Sequence, residues 1–537
     1  MLSTKAVFVE EKLEMQKMGC FYLTAFLFVL VNLSESSPLI MMTSDVNEVS
    51  GKSFDYIVVG GGTAGCSLAA TLSEKFSVLL IERGGSPYDI PLLLHKRYFF
   101  FPALQIGDRF SSVAQSFVSR DGVPNIRGHV LGGTSVINAG FYSRATDDYV
   151  HRVGWDEQLV KQAYEWAESK IAFKLPELAP WQSVFKFGLL EAGVLPFNGF
   201  SLEHIEGTKI GATIYDEYGI RHPSSDLLVA GNPKNIMILL NATVKSIIFD
   251  GTDNERTARG IRFIKSGSKT DQIYEAYINQ RHESSSRGDV ILCAGALGSP
   301  QILMLSGIGP KKHLQNFNIP LVLHLKGVGR LMQDNPAIFF RGENKTNYRP
   351  TEPPQVVGIA EDFKFIVEGI IEPRGFNAAG TLLAIKLAIP QSTGWLKLNN
   401  TDPRQNPIVK FNYFSKEKDL ENCAKMVQLL RKVSRSKSVV TFLRNELQNN
   451  LTGSMSSDSP RNFCKNNVMT FYHYHGGCTV GSVVDKDYKV YGVKNLRVVD
   501  GSTFLETPGT NPMATLLMLG RYQGSKILRG REKEFSN

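Results

Sequence analysis

The chain has 537 residues, of which 42% are hydrophobic and 21% charged, which is ordinary globular composition. This length exceeds what one hydrophobic core normally supports, so two or more domains are expected. The net charge of +9 comes from scattered basic residues, with no Lys/Arg block interleaved with aromatic side chains, and this argues against a nucleic-acid-binding protein.

The first predicted element is an apolar run, Cys20–Val31, interrupted only by Thr24. It is too short to span a bilayer comfortably and suits the core of a signal peptide. We therefore expect residues 1–36 to be a signal peptide, with Met15 or Met18 as alternative starts, and no stable membrane span. The competing interpretation is an uncleaved anchor or a buried hydrophobic arm. The expected destination is the secretory pathway or the cell exterior.

Glycosylation sequons agree with secretion, because Asn-x-Thr triplets are acceptors in secreted proteins. They occur at Asn241, Asn344, Asn399 and Asn450. A secreted glycoprotein is therefore expected.

The cysteines also fit an oxidising compartment. Three of them lie beside glycine motifs or at the end of a strand and are predicted to be buried small hydrophobes: Cys66, Cys293 and Cys478. Cys20 belongs to the predicted signal peptide, which leaves Cys423 and Cys464, in more polar surroundings. These two are the natural disulfide pair.

The stretch Phe54–Glu82 has the order of a dinucleotide-binding unit. Phe54–Val59 is predicted as a buried parallel strand, Thr63–Glu74 as a helix and Ser77–Ile81 as a second strand. Between strand and helix stand three glycines at the required spacing: Gly60, Gly62 and Gly65. They allow a tight turn, close approach of the backbone to a pyrophosphate, and close packing of the helix. A carboxylate at Glu82 can accept hydrogen bonds from ribose hydroxyls, so the unit favours FAD or NAD without choosing between them.

The middle of the chain mixes a glycine loop with further elements. Gly128–Phe141 contains a Gly-Gly-Thr-Ser turn whose backbone N–H groups could meet a charged ligand, although spacing alone shows only a loop. Asp156–Lys170 is predicted as a surface helix. Strand-like runs return at 236–240, 244–249, 260–264 and 288–294, and Ser299-Pro300 reads as a helix start. We interpret these runs as parallel strands of a discontinuous dinucleotide domain.

The C-terminal part carries a pair of histidines between aromatic residues and glycines, Phe471–Gly477. Either histidine alone could be a core residue, and the pair lacks the partners of a metal site, so no metal is expected. A strand is predicted at Asn495–Val499 and a helix from Met513, after a Pro-Gly-Thr-Asn-Pro turn.

Together these motifs resemble the glucose-methanol-choline (GMC) oxidoreductase family. In chain order, the motifs are Gly60–Gly65 with Glu82 and then residues 128–135, 295–310, 473–477 and 498–512. The resemblance covers about residues 50–530 and is greatest to the plant branch that holds the (R)-mandelonitrile lyases and the HOTHEAD-type proteins. It also implies the bridge between Cys423 and Cys464.

The resemblance implies an FAD-binding Rossmann-like domain and a substrate domain built on an antiparallel sheet backed by helices, an α/β fold. It assigns the FAD to the following residues: Gly60, Gly62, Thr63, Ala64, Gly65, Glu82, Arg83, Val130, Thr134, Asn138, Ala139, Gly140, Phe141, Val244, Tyr472, Gly501, Pro512 and Met513. Members with covalent flavin carry a histidine where this chain has Ile137, so non-covalent FAD is expected.

By the same resemblance the catalytic base is His473 and its partner is Asn511. A neutral histidine can take the proton of an alcohol, and an amide can stabilise the developing alkoxide. The expected activity is FAD-dependent oxidation of the CH–OH group of a small-molecule alcohol, with a long-chain ω-hydroxy acid suggested by the HOTHEAD resemblance. A monomer is favoured.

Two alternatives stay open. A hydroxynitrile lyase acting on a cyanohydrin would keep FAD as a structural cofactor. Against it, Asn511 cannot titrate, and the lyases carry tyrosine at the position of Phe471. His475 could substitute, because a separation of two residues on a strand puts it on the same face as His473, but this does not ensure that both reach the substrate. The other alternative is a catalytically weak secreted flavoprotein with a binding or structural role. His129 stands where the family usually has Arg or Lys, which weakens a phosphate contact and counts against each of the activities.

The expected domains are discontinuous. Residues 50–150, 225–334 and 466–537 are assigned to the FAD-binding domain, and residues 151–224 and 335–465 to the substrate-binding domain. The runs at 395–398 and 408–413 are predicted as strands of the second domain and Lys416–Arg435 as one of its helices.

Overall fold

The structure is a computed structural model that describes residues 40–99, 112–251, 256–268, 270–279, 288–343, 352–374, 378–444 and 460–536. The predicted signal peptide and the sequons at Asn344 and Asn450 lie outside these residues. Residues Met42–Asn537 form one unit.

In chain order the strands are β1 Met41–Thr43, β2 Ser53–Phe54, β3 Tyr56–Val59, β4 Val78–Ile81, β5 Ala114–Val118, β6 Pro124–Gly128, β7 Phe141–Tyr142, β8 Phe197–Phe200, β9 Gly207–Ile210, β10 Ala212–Thr213, β11 Ile236–Leu239, β12 Ala242–Asp250, β13 Thr257–Lys265, β14 Tyr274–Ile278, β15 Val290–Leu292, β16 Ile308–Gly309, β17 Leu323–His324, β18 Arg330–Met332, β19 Pro336–Glu343, β20 Val356–Ala360, β21 Phe365–Arg374, β22 Ala378–Leu387, β23 Gly394–Lys397, β24 Ile408–Lys410, β25 Met469–Thr470 and β26 Leu496–Val498. The α-helices are α1 Thr63–Ser73, α2 Asp147–Arg152, α3 Glu157–Ile171, α4 Pro180–Glu191, α5 Gly295–Leu305, α6 Lys311–Gln315, α7 Glu417–Ser434, α8 Lys437–Leu443, α9 Pro460–Asn467 and α10 Met513–Ser536.

The predicted dinucleotide unit forms the centre of a six-stranded sheet with the order β1-β11-β4-β3-β15-β26. From β11 to β26 every neighbouring pair is parallel. All residues of β3, β4 and β15 are buried, as expected for strands covered on both faces. The glycine turn leads from β3 into α1, which is buried from Ala64 to Ser73. The predicted strand–helix–strand order is confirmed, with both strands slightly shorter than expected.

A seven-stranded sheet with the order β25-β19-β22-β21-β20-β9-β8 forms the second layer, and it is antiparallel except for the pair β8–β9. Along β21 and β22 the side chains alternate between its two faces. Odd-numbered residues such as Val367 and Leu383 pack in a core with α4 and α7. Even-numbered residues such as Ile370 and Leu382 form the opposite face. The predicted fold class, a Rossmann-like sheet with an antiparallel sheet backed by helices, is confirmed.

The predicted disulfide is present between Cys423 on α7 and Cys464 on α9. The other three described cysteines are free and buried, as expected.

Three sequence-based expectations differ from the structure. Strands β12 and β13 are antiparallel and belong to a separate four-stranded sheet, so they do not extend the parallel sheet. Strands β23 and β24, expected in the second domain, form a three-stranded sheet in which β23 lies between β18 and β24, and Leu396 packs in the same core as Val498 of β26. The domain boundaries themselves stay a prediction.

The third difference is the start of α5, which begins at Gly295 and encloses Pro300. The N–H of Gly295 donates to the Asp500 carboxylate at 2.8 Å. A residue distant in sequence therefore supplies a hydrogen-bond acceptor for a free N–H group in the first turn of the helix. Pro300 lacks an N–H and leaves only one helical bond unmade.

Candidate active site

A cavity of about 440 Å³ lies where the glycine turn, the Gly133 loop, the seven-stranded sheet and the start of α10 meet. Most of the residues that the resemblance assigned to FAD or catalysis line it: Gly60, Gly62, Thr63, Ala64, Glu82, Arg83, Thr134, Asn138, Ala139, Gly140, Phe141, Val244, Tyr472, His473, Gly501, Asn511, Pro512 and Met513. Ile137 lines it as well.

Two of the assigned residues do not line the cavity. A Cβ on Gly65 would stand 2.0 Å from the Gly60 carbonyl oxygen, so this glycine allows α1 to pack against the turn. Val130 is buried in a small apolar cluster with Leu93 and Val136. Both therefore act on the site through packing.

The glycine turn and the Gly133 loop form the nucleotide end of the cavity. A Cβ on Gly133 would stand 2.8 Å from the Gly62 Cα, so the two backbones approach as only glycine allows. Gly62 caps α1 without a side-chain hydrogen bond, which leaves N–H groups of the first turn for a ligand. A backbone cradle at a helix N-terminus fits a pyrophosphate.

Glu82 closes the same end. Its Oε2 accepts from the Gly61 N–H and its Oε1 from the Gly84 N–H, both at 2.9 Å. Burial raises the pKa of this carboxyl, while the neighbouring Arg83 and the backbone N–H donors favour its charged form. Each carboxylate oxygen keeps a lone pair, so the geometry fits a ribose hydroxyl.

The cations at this end are Arg83 and Arg127, and both line the cavity. Arg83 Nη1 and Arg127 Nη2 donate to the Gln115 side-chain oxygen at 2.7 and 2.9 Å. Sequence reasoning missed Arg127 and looked instead at His129. That histidine does not line the cavity, and its Nδ1 donates to the Ser112 carbonyl at 2.7 Å. Burial, and next Arg83, lower the pKa of His129 to about 4, so it is neutral.

Arg221, which sequence reasoning also missed, holds the Gly133 loop in place. It is buried, and its Nη1 donates to the Ser135 carbonyl and to Asn138 Oδ1 at 3.0 and 2.9 Å. The Asn138 amide in turn donates to the Met513 sulfur at 3.0 Å, which joins the loop to the first turn of α10.

The opposite end of the cavity carries His473. Its backbone N–H donates to Asp334 Oδ1 at 2.9 Å, and Tyr472 before it has a φ of 62°, so the chain turns sharply here. Its ring Nδ1 lies 3.2 Å from Asn335 Oδ1 and 3.0 Å from Lys386 Nζ. Among the described residues nothing hydrogen-bonds to its Nε2. Burial, then Lys386 and His475, lower the pKa of His473 well below its ordinary value, so the ring is neutral.

Asn511 stands beside His473 and is fixed from two sides. Its Oδ1 accepts from Lys386 Nζ at 2.9 Å, and its Nδ2 donates to Glu368 Oε1 at 2.8 Å. The remaining amide hydrogen of Asn511 is free to meet a ligand oxygen.

Lys386 and Glu368 were missed by sequence reasoning. Glu368 on β21 stands opposite Ala384 of β22, so Lys386 follows two residues later on the same face. Lys386 is fully buried and lies behind His473 and Asn511, whereas Glu368 lines the cavity. Burial lowers the pKa of Lys386 to about 7 against the opposing effect of Glu368, and burial raises the pKa of Glu368.

One expectation at this end is wrong. Residues 471–474 are not a strand, so His473 and His475 do not share a strand face. The ring nitrogens of His475 lie 3.0 Å from the His473 carbonyl oxygen and 3.1 Å from Gln333 Oε1. His475 does not line the cavity.

Comparison with known proteins decides the family. Two GMC oxidoreductase profiles match residues 54–337 and 390–520.

The chain belongs to the GMC oxidoreductase family.

Among the relatives of this GMC oxidoreductase, an "(R)-mandelonitrile lyase-like" protein of Arabidopsis thaliana is 44% identical and covers 89% of this chain and 90% of its own. Protein HOTHEAD of Arabidopsis thaliana is 42% identical and covers 89% of both chains. A formate oxidase of Aspergillus oryzae, 20% identical, has the same fold with a TM-score of 0.75 over 90% of this chain and 99% of its own.

Like its family, the chain is an FAD-dependent oxidoreductase, and FAD is its cofactor. The backbone cradle, the Glu82 carboxylate and the two arginines at the nucleotide end fit that group. Which residues contact it, and whether it is bound without a covalent link, stay predictions. No helix within the described residues combines the length and apolar character needed to cross a membrane.

Proposed function

We propose that this GMC oxidoreductase oxidises the CH–OH group of a small-molecule alcohol, with His473 as the base and Asn511 as the residue that holds the alcohol oxygen. One observation carries the proposal. Within the described part of the chain, the His473 ring accepts or donates hydrogen bonds through Nδ1 and not through Nε2, and the side chain lines the cavity next to Asn511. FAD, when bound, supplies the hydride acceptor.

The protein's own groups suit the proton transfer. The lowered pKa of His473 keeps the ring neutral, so it is free to accept a proton from an alcohol. Asn511 is oriented by its bonds to Lys386 and Glu368, so an alcohol oxygen meets a fixed N–H donor. A donor that is already in place stabilises a developing alkoxide without reorganisation.

For the substrate we propose a long-chain ω-hydroxy acid. The cavity face of the seven-stranded sheet is apolar and includes Phe339, Ile370, Leu382 and Ala384. Arg341 lines the cavity at the same wall, with its guanidinium carbon 5.5 Å from the Phe339 ring centre. An apolar wall and a cation together suit an alcohol whose far end is a carboxylate.

A hydroxynitrile lyase is the second candidate, and Lys386 is the observation that favours it. This lysine weakens the objection that Asn511 cannot titrate. Lys386 places a titratable group 3.0 Å from His473 and 2.9 Å from Asn511. It does not line the cavity, however, and position 471 is phenylalanine, so we rank the lyase below the alcohol oxidoreductase.

The deciding experiment is anaerobic mixing of the FAD-loaded protein with alcohols and cyanohydrins while the flavin spectrum is followed. Bleaching by an alcohol, with ω-hydroxy acids the best substrates, supports the proposal. Release of cyanide from mandelonitrile without bleaching shows a lyase. Folded yellow protein that does neither is the catalytically weak flavoprotein and refutes both enzymes.

From the sequence we also propose cleavage of a signal peptide at residues 1–36, secretion as a monomer, and glycosylation. Asn399 is exposed, whereas the side-chain amide of Asn241 donates to Ser44 Oγ at 3.1 Å. Glycan occupancy of the secreted protein tests this by mass spectrometry, and Asn399 is the site expected to be occupied.

A further inference from the structure

Asn335 Oδ1 and a Lys386 ammonium require opposite protonation states of His473 Nδ1. The Asn335 amide nitrogen donates to the carbonyls of Leu387 and Ala388, both at 2.8 Å, which fixes its oxygen toward His473. That oxygen can only accept, so it requires a proton on Nδ1. A Lys386 ammonium can only donate, so it requires a lone pair on the same nitrogen. A neutral Lys386 amine carries a lone pair and is compatible with Nδ1–H.

The conflict decides whether His473 can act as a base. With its proton on Nδ1, the neutral ring has a lone pair on Nε2 and can accept a proton there. With a Lys386 ammonium donating to Nδ1, the neutral ring carries its proton on Nε2 and can accept nothing. The protonation state of Lys386 therefore selects the tautomer.

The charged groups around Lys386 and His473 determine the pH at which Lys386 changes its protonation state. Burial opposes the ammonium of Lys386, while the carboxylates of Glu368 and Asp334 favour it. Around His473, Lys386 and His475 disfavour a positive charge. His204 also lies in the field of Lys386 and is held neutral by burial.

We propose that Lys386 is a positioning residue that switches His473 between a tautomer that can act as a base and one that cannot, and that it receives the Nδ1 proton during turnover. This rests on the proposed function. As the alcohol O–H bond breaks, its proton bonds to His473 Nε2. The Nδ1–H bond breaks in turn, and that proton bonds to the neutral Lys386 amine. The ring stays neutral, and Glu368 compensates the new ammonium.

Three variants test the role. Lys386→Arg carries a charge at every accessible pH and locks the inactive tautomer, whereas Lys386→Met leaves Asn335 to hold the active one. The matched control is Lys209→Met. Lys209 is also buried, with a pKa lowered to about 7, but its Nζ donates to Ser143 Oγ at 2.8 Å, away from the cavity.

We expect flavin reduction by alcohol in the wild type to rise with pH through about 7, as Lys386 loses its proton. At pH values where wild-type Lys386 is neutral, Lys386→Arg should be slower than wild type by about 10²-fold or more, the loss expected for a general base. At low pH the two rates should converge, because residue 386 is then charged in both proteins. Lys386→Met should be faster than Lys386→Arg and should lack the rise, and Lys209→Met should keep it. A Lys386→Arg rate close to wild type above the pH of the wild-type rise, or one above that of Lys386→Met, overturns the proposal.

A second readout needs no turnover. In protein labelled with ¹⁵N-histidine, the His473 signals, assigned with His473→Gln, should show the Nε2–H tautomer at low pH and the Nδ1–H tautomer at high pH. One unchanged tautomer across the range overturns the proposal. If no alcohol reduces the flavin, the proposed function fails, while this titration still decides the role of Lys386. The same titration decides it if the Lys386 variants do not fold.

Discussion

Replacing His473 with alanine tests the proposed base most directly. The imidazole lies with its Nδ1 3.2 Å from Asn335 Oδ1 and 3.0 Å from Lys386 Nζ. Its removal takes away the proton acceptor and leaves the glycine turn and Glu82 at the nucleotide end intact. We expect FAD to stay bound and flavin reduction to fall by about 10²–10⁴-fold, the usual contribution of a general base. That loss corresponds to about 3–5 kcal/mol of activation free energy.

The assay is anaerobic stopped-flow at saturating alcohol, with bound FAD measured from the visible spectrum after gel filtration. His151→Ala, at an exposed position on α2, is the matched histidine control and should reduce at the wild-type rate. A His473→Ala protein reduced within about tenfold of wild type refutes the base role, because a general base contributes at least about 10²-fold. A colourless His473→Ala protein shows instead that the residue is structural.

Four further predictions follow from single contacts. Asn511→Leu removes the amide donor, and flavin reduction in stopped-flow should fall by about 10²–10³-fold with FAD retained; an unchanged rate excludes alkoxide stabilisation by this residue. Glu82→Ala should weaken FAD binding, measured by fluorescence titration, since it removes the acceptor proposed for the ribose. Replacing Cys423 and Cys464 by serine opens a loop with a sequence separation of 41, and thermal unfolding should show a loss of about 2–5 kcal/mol with the rate of flavin reduction unchanged. The folded pKa of His129 lies below its unfolded value of 6.5, at about 4, so only the unfolded chain binds this proton as the pH falls between the two. His129→Asn should therefore remove about 3 kcal/mol of the acid destabilisation seen by denaturant unfolding between those pH values.

Local pattern was enough to predict the nucleotide end. The β-branched run before Gly60, the glycine spacing and the acid at Glu82 lie within one continuous stretch, and β3, α1 and β4 formed there as expected. Such elements can be predicted because their hydrophobic period and turn chemistry are set by neighbours in sequence.

The catalytic end could not be predicted in this way, because strand pairing assembles it. Glu368 and Lys386 belong to no motif, and only the register of β21 against β22 brings them to one face. A signal was present nonetheless, since each charged residue stands among apolar neighbours in a strand, Glu368 in residues 365–371 and Lys386 in residues 382–387. Arg127 gave no such signal, because the five residues of β6 contain no apolar run in which a charged residue would stand out.

The contacts also change how position 511 is understood. Because an amide cannot titrate, the sequence predicts that Asn511 favours an oxidoreductase over a lyase. Lys386 Nζ donates to Asn511 Oδ1 and lies beside His473 Nδ1. The hydrogen-bonding roles of the three side chains therefore depend on one another. A histidine at 511 would have to offer Lys386 a lone pair and would compete with His473 for the same donor. The chemistry of this site therefore depends on the proton state of Lys386 as well as on the identity of residue 511, and a substitution at either position should be interpreted through the other.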